Sequence, residues 1–307
     1  MAATPAPLSI ESLVSSPSPG TRATAATAPA ATLARHAQTI RPRSPRFDFD
    51  AVPRHWFAGS VIGTAFANGL NLLFPAGERF FVRSVRHYLD RIQDPKLRED
   101  VKGFSGQEGL HAYAHERQFE ALEKQGFAIR PFLRFYEAFA YGFVEKVAPS
   151  QLCLAATAAC EHFTATMATN ALAREAEGAL LLKDPTMRAL LLWHAVEEIE
   201  HRAVAFDVLN EVNPSYELRV AGLAVATSML FTLWMAGAAT LIAQDSPKPA
   251  RLRRELRARR ERKTKFQAPD FGAAIRDYLR RDFHPLEDTR GDDLARAYAA
   301  EAGLTAS

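Results

Sequence analysis

A chain of 307 residues, 48% hydrophobic and 24% charged, has enough apolar material for one large globular domain with appendages, which excludes a wholly disordered or fibrous protein. Its formal net charge is only +3, yet Arg251 to Lys265 holds nine basic and two acidic residues, so that stretch is +7 and the remainder −4. Basic character is therefore local, and a chain coated in positive charge is excluded.

Residues 1–45, rich in Ala, Pro, Ser and Thr up to about Leu33, read as a disordered N-terminal tail. No continuous apolar run marks a secretory signal; the excess of arginine over acid before Asp48 leaves a transit peptide as the lesser reading. Residues 46–215 read as a bundle of helices. The apolar segment Phe57 to Phe74 runs into Pro75, which suits the first turn of a new helix reaching about Arg91. A second helix is expected from Pro95 to Gln125, stopped by Gly126. Pro131 to Val147 reads as a connecting helix, and Ser150 to Glu177 as the third main one. Asp184-Pro185 then caps and starts a fourth, ending near Asn213-Pro214. No stretch reads as a strand. Cys153 and Cys160, seven apart on the third helix, would lie roughly 10 Å apart, beyond the ~7 Å reach of a disulfide. They read as reduced core residues of a cytosolic protein.

Residues 216–246 read as an apolar helix. Its segment Val220 to Ala243 has 24 residues without a charge, roughly 36 Å of helix against a hydrocarbon core of about 30 Å. Three readings stay open: a buried fifth helix, a shallow or hairpin insertion with Phe57 to Phe74 as its partner, and a full span. Small residues fill about half the segment, and a single span would separate the bundle from the Arg-rich run that belongs on the cytoplasmic side, so the span ranks last. Residues 247–307 read as a basic helix and a polar C-terminal tail. The run after Arg251 suits a solvated face or anionic lipid. It lacks interleaved aromatics for base stacking, so nucleic acid is not an expected partner.

Four segments each carry a glutamate suited to a metal. Glu108-Gly-Leu-His111 and Glu198-Ile-Glu-His201 are both Glu-x-x-His, which on a helix presents an oxygen and an imidazole nitrogen on one face. Glu78 and Glu161 are single carboxylates. The order Glu, Glu-x-x-His, Glu, Glu-x-x-His is the ligand order of dinuclear carboxylate helical bundles. Successive glutamates are 30, 53 and 37 residues apart, which suits two hairpins joined by one long crossover. His194, one turn before Glu198, joins the same face as a seventh candidate ligand. His115, one turn after His111, is a further candidate or a supporting group. His162, beside Glu161 but about 100° round the helix, reads as support. Glu197 shares the face of His194 and His201, but repetition of the Glu-x-x-His word favours Glu198 as the ligand.

The words Phe-Pro-Ala-Gly-Glu-Arg-Phe-Phe, Gly-Gln-Glu-Gly-Leu-His, Glu-His-Phe-Thr-Ala and Trp-His-Ala-Val-Glu-Glu-Ile-Glu-His-Arg-Ala-Val-Ala-Phe-Asp resemble a bacterial family catalogued as predicted metal-dependent hydrolases, over roughly Ile40 to Phe283. With His194 added, the ligand order is also similar to that of p-aminobenzoate N-oxygenase, whose resemblance implies a di-iron centre of three histidines and four carboxylates. Glu78 departs from a mid-helix position, lying only three residues after Pro75.

Together these features lead to an all-α, ferritin-like four-helix bundle with extra N- and C-terminal helices, holding two metal ions through Glu78, Glu108, His111, Glu161, His194, Glu198 and His201. Carboxylate and imidazole donors suit iron, with manganese or zinc as alternatives. The expected activity is oxygen-dependent oxidation of a small hydrophobic or amphipathic substrate. The alternatives are a two-metal hydrolase of ester or amide bonds and a non-enzymatic iron-binding or membrane scaffold. A cytoplasmic protein associated with an anionic inner-membrane surface is expected, with oligomers permitted. No sequence feature names an electron donor.

Overall fold

The computed structural model describes residues 39–245, 248–261 and 269–304, and every regular element among them is helical. Most of the expected tail, residues 1–38, and residues 262–268 of the basic region lie outside the described residues. The helices in chain order are α1 (Val61–Asn71), α2 (Phe74–Arg86), α3 (Pro95–Lys124), α4 (Arg130–Phe139), α5 (Ser150–Ala176), α6 (Pro185–His201), α7 (Val204–Val212), α8 (Tyr216–Asp245), α9 (Pro249–Glu261), α10 (Phe271–Tyr278) and α11 (Arg290–Glu301). The connecting helix expected to Val147 is present, but it passes from α4 through a π-helical turn at Ala140–Val144 into a last turn, Glu145–Val147.

Local chemistry explains the boundaries. Asp94 and Asp184 cap α3 and α6 by accepting hydrogen bonds from Lys96 N at 2.8 Å and Met187 N at 2.9 Å, each with proline at the first helical position. Gly126, at φ +88°, closes α3 in the left-handed conformation that favours glycine.

Three expected helices are shorter than their hydrophobic patterns. The Phe57–Phe74 segment contains turns before α1, and α1 stops at Asn71. Pro75 cannot donate to the Asn71 carbonyl and its ring would crowd that oxygen, so α2 begins as a new helix. The helix expected to reach Asn213 breaks after His201. There Arg202 donates to the Ile199 carbonyl at 2.5 Å and pairs with Asp292 at 2.8 Å, drawing a ladder acceptor away from the helix. α2 ends at Arg86, and Leu89–Arg91 forms only a short 3₁₀ turn.

Helices α2, α3, α6 and α5 touch in that cyclic order, since α2 packs on α3 and α5, and α6 packs on α3 and α5. Fully buried Phe104, Leu154, Phe163 and Phe206 fill one side of this ring. α8 lies along α5 and α1. A Cβ on Gly222 would enter the Ala155 backbone, and one on Gly69 would come within 2.6 Å of Ala238 N, so glycine permits both close approaches. α8 is the one helix among the described residues long and apolar enough to cross a membrane, with 28% of its apolar window buried.

Two segments differ in role from their composition. Residues 39–45 read as tail by composition, yet Ile40 and Pro42 lie directly against Gly103 and Gly106 of α3. In the basic run, Glu255 of α9 accepts from Ser60 Oγ at 3.0 Å and Ile62 N at 3.2 Å, satisfying the N-terminus of α1.

Candidate metal centre

The ring of α2, α3, α5 and α6 directs one glutamate from each helix into a common buried space. Glu78, His111 and His194 bring one donor atom each within 4.8 Å of one another, and Glu108, Glu198 and His201 do the same. Glu161, the remaining candidate, places Oε2 3.4 Å from His201 Nε2, beside the second group. Glu198 lies between the groups: its Oε1 is 2.8 Å from His194 Nε2, 3.6 Å from His201 Nε2 and 3.9 Å from His111 Nδ1. All seven candidate ligands therefore meet at one place.

Each of the three histidines is held by one ring nitrogen and faces the carboxylates with the other. His111 Nε2 contacts Glu197 Oε2 at 2.9 Å, leaving Nδ1 toward Glu198. His201 Nδ1 donates to Gln107 Oε1 at 3.1 Å, leaving Nε2 inward. His194 Nδ1 contacts His115 Nε2 at 2.8 Å, leaving its Nε2 between Glu78 and Glu198. Outer partners of this kind fix the tautomer and orientation of metal-ligating imidazoles. His115 and Glu197 thus sit behind the donors. His162 does not: its Nε2 contacts the Ala274 carbonyl at 2.9 Å and its ring packs on Tyr278 and Phe283, so the rotation from Glu161 carries it to α10 instead of the centre.

The electrostatics suit a cation. Both oxygens of Glu78, Glu108 and Glu161, Oε2 of Glu198, Nδ1 of His111 and Nε2 of His201 are buried without a hydrogen bond. Buried polar atoms are normally bonded, so such a concentration facing one space marks a ligand site. Burial, reinforced by the other carboxylates, pushes Glu78 and Glu108 well above the usual carboxylate range. Burial also raises Glu161 to about 8, with His201 opposing. Glu198 is the exception. Burial acts to raise it, but His201 and His194 prevail and hold it well below. Burial acts to lower His201, but Glu161 and Glu198 raise it to about 9. Burial lowers His111 and His115 well below the ordinary imidazole range, which keeps them neutral, as ligation of the former requires.

Residues 41–288 match the family described as predicted metal-dependent hydrolase. The chain belongs to this family. No curated protein and no solved structure matches it.

Within this metal-dependent hydrolase family member, several supporting residues were not anticipated. Gln107 stands directly before Glu108, and its position one turn from His111 was the available signal. Arg43 had none: it lies 154 positions from Glu197, yet its backbone N and guanidinium both donate to Glu197 Oε1 at 3.1 Å, and it pairs with Glu200. Burial raises Glu197 to about 7 while Arg43 opposes. Phe74, at the start of α2, packs its ring 4.8 Å from both His115 and His194.

Two apolar cavities reach the centre. One lies between α2, α4, α5 and α8, and Glu78 forms part of its wall. The other, bounded by α1, α5, α6 and residues 179–182, is walled in part by His194 and Glu198.

Proposed function

We propose that the chain is a dinuclear-metal hydrolase of an ester or amide bond in a largely apolar substrate. The observation that carries this reading is the meeting of two apolar cavities at a set of seven inward-facing donors. Membership of the hydrolase family supports the reaction class, and two adjacent donor groups support two ions. The order of the ligand-bearing helices and their cyclic contacts support a ferritin-like four-helix arrangement around the centre.

When bound, divalent cations supply Lewis acidity toward a carbonyl oxygen and a water acidic enough to act near neutral pH. The protein contributes position. Glu198 would help hold the ions of both groups, because its carboxylate lies within 4 Å of all three inward imidazoles. Gln107, Glu197 and His115 lock those rings. Phe74, Leu70 and Met167 give the space in front of His194 and Glu198 an apolar wall. The absence of a thiolate among the donors favours manganese, iron or zinc in an open site over structural zinc.

A second reading, oxygen-dependent oxidation by a di-iron centre, is supported by the donor types: three imidazoles and four carboxylates in an apolar setting suit redox iron. One experiment separates the two. Metal-free protein is loaded with manganese, zinc or, without oxygen, ferrous iron, the ions per chain are counted, and acid release from acyl esters and amides is compared with oxygen consumption. Hydrolysis with manganese or zinc in the absence of oxygen is expected. Product formation that requires both iron and oxygen would transfer the assignment to oxidation.

A further inference from the structure

Asn71, the last residue of α1, is 1% exposed, and neither Oδ1 nor Nδ2 of its side chain makes a hydrogen bond. It is part of the wall of the second cavity, together with His194 and Glu198. Buried side-chain amides are normally satisfied by protein or ligand, and its neighbour one turn earlier illustrates this: Asn68 Oδ1 accepts from Trp56 Nε1 at 3.0 Å and from Gln118 Nε2 at 3.2 Å. Asn71 thus sets an unsatisfied donor and acceptor in the wall of a mostly apolar cavity that also includes the candidate ligands His194 and Glu198.

The two cavities also share part of their walls. Leu70, Phe74, Thr164 and Met167 belong to both, and Glu78 in the wall of the first lies 3.7 Å from His194 in the wall of the second. On one side the apolar walls run between α4 and α8 through Tyr141, Val144 and Met229; on the other they run past Leu180 and Leu191 toward Asn170 and Arg174. Joined past these shared side chains, the two cavities would make one bent path that suits an extended hydrocarbon chain, with its reactive group at the bend.

We propose that the joined cavities bind a long-chain acyl amide whose amide group is held by Asn71 in front of His194 and Glu198, an assignment of substrate class that rests on the hydrolase reading. Asn71 Nδ2 donates to the substrate carbonyl oxygen, and Oδ1 accepts from the substrate N–H. An ester supplies acceptors only and would leave Oδ1 unpaired, which is the physical basis for preferring the amide. Hydrolysis then balances with water alone. Its oxygen bonds the carbonyl carbon, the C–N bond breaks with its electron pair going to nitrogen, and the nitrogen takes up a proton, giving a long-chain acid and ammonia or an amine.

Binding is tested on the metal-free full-length chain, where turnover does not intervene, with dodecanamide, methyl dodecanoate and butanamide as probes in calorimetric titration. Dodecanamide should bind roughly tenfold more tightly than methyl dodecanoate, and butanamide should bind hardly at all. Asn71→Leu should erase the preference by weakening dodecanamide alone; Asn71→Ala repeats the measurement if the leucine variant does not fold. Met167→Trp, which fills the junction, should weaken dodecanamide binding at least about tenfold. Equal affinity for amide and ester in the native chain, an unchanged preference in the Asn71 variants, or no binding of either twelve-carbon probe would each overturn the assignment. If dodecanamide binds as expected and the metal-loaded protein releases no ammonia, the hydrolase reading fails while the channel stands.

Discussion

Gln107 Oε1 accepts a hydrogen bond from Nδ1 of His201 at 3.1 Å, and this single contact decides which nitrogen of the ring faces Glu108, Glu161 and Glu198. The same amide donates through Nε2 to Glu200 at 2.8 Å, so its orientation is fixed from both ends and cannot flip without losing a charge-assisted bond. Gln107→Leu removes the lock without removing a candidate ligand. We expect the helical content to be unchanged and metal affinity to fall about 10- to 100-fold, the usual cost of losing such a partner. Metal competition titration checks it; native affinity in the variant would show that His201 needs no outer partner.

Glu198 is the carboxylate that lies between the two donor groups. Glu198→Ala should reduce binding from two ions per chain to one or none, because its Oε1 faces His111, His194 and His201 together. Glu108→Ala should act likewise, since Glu108 belongs to the second group. Elemental analysis of the purified variants reads the result directly. Two ions retained in both would sink the dinuclear assignment. His194→Ala should keep the fold and alter the spectrum of a cobalt- or iron-loaded centre, whereas a change confined to thermal stability would make His194 a core residue.

The helices and the donor set were largely legible because both depend on short-range periodicity. Glu108 with His111, and Glu198 with His201, share a face by spacing alone, and proline after Asp94 and Asp184 announces two starts. What was not legible depends on contacts distant in the chain. The break after His201 is tied to Arg202 and Asp292, 90 positions apart, and nothing near Arg202 signals it. Arg43 looked like part of a polar tail until α6 brought Glu197 and Glu200 beneath it. His162 shows the limit of adjacency: standing next to Glu161 in sequence put it on another face, against Tyr278.

The charge state of the centre predicts an unusual pH dependence for the metal-free protein. Folded pKa values raised to about 8 for Glu161 and about 9 for His201 mean that the native state retains protons the unfolded chain has released. The unfolded state therefore binds fewer protons, and stability falls as pH rises. Lowered His111 and His115 act oppositely only below about 6.5, where the unfolded imidazoles become charged. Between pH 6.5 and 9 the decline should approach about 1.4 kcal/mol per pH unit for each retained proton. Urea denaturation across this range in a chelator should show the fall, and a divalent cation should flatten or reverse it by taking the place of those protons. Stability independent of pH in the chelator would mean that the carboxylates are ionised without a cation.

The last prediction concerns lipid. Phe135, Phe139, Phe143 and Val147 are 59%, 40%, 59% and 66% exposed and recur every four residues along α4 and its continuation, an apolar stripe facing solvent. α4 packs beside α8, whose Met235 is also exposed, and both helices wall the cavity that reaches Glu78. An apolar substrate dissolved in a bilayer would thus find the channel flanked by aromatics suited to the membrane interface. Native protein should sediment with vesicles containing anionic lipid at low salt, and Phe139→Ser with Phe143→Ser should weaken that association about tenfold by removing buried apolar area. Truncation at Arg251 is a poor test of the basic run, because it would also remove the Glu255 carboxylate that satisfies the start of α1. Arg253→Ser with Arg254→Ser, both exposed on α9, keeps that contact and should lower the salt sensitivity of binding. A native chain that stays wholly in the supernatant at low salt would defeat the membrane contact. The aromatic stripe would then require a protein surface to cover it, with a second copy of this chain as the first partner to seek by sedimentation equilibrium.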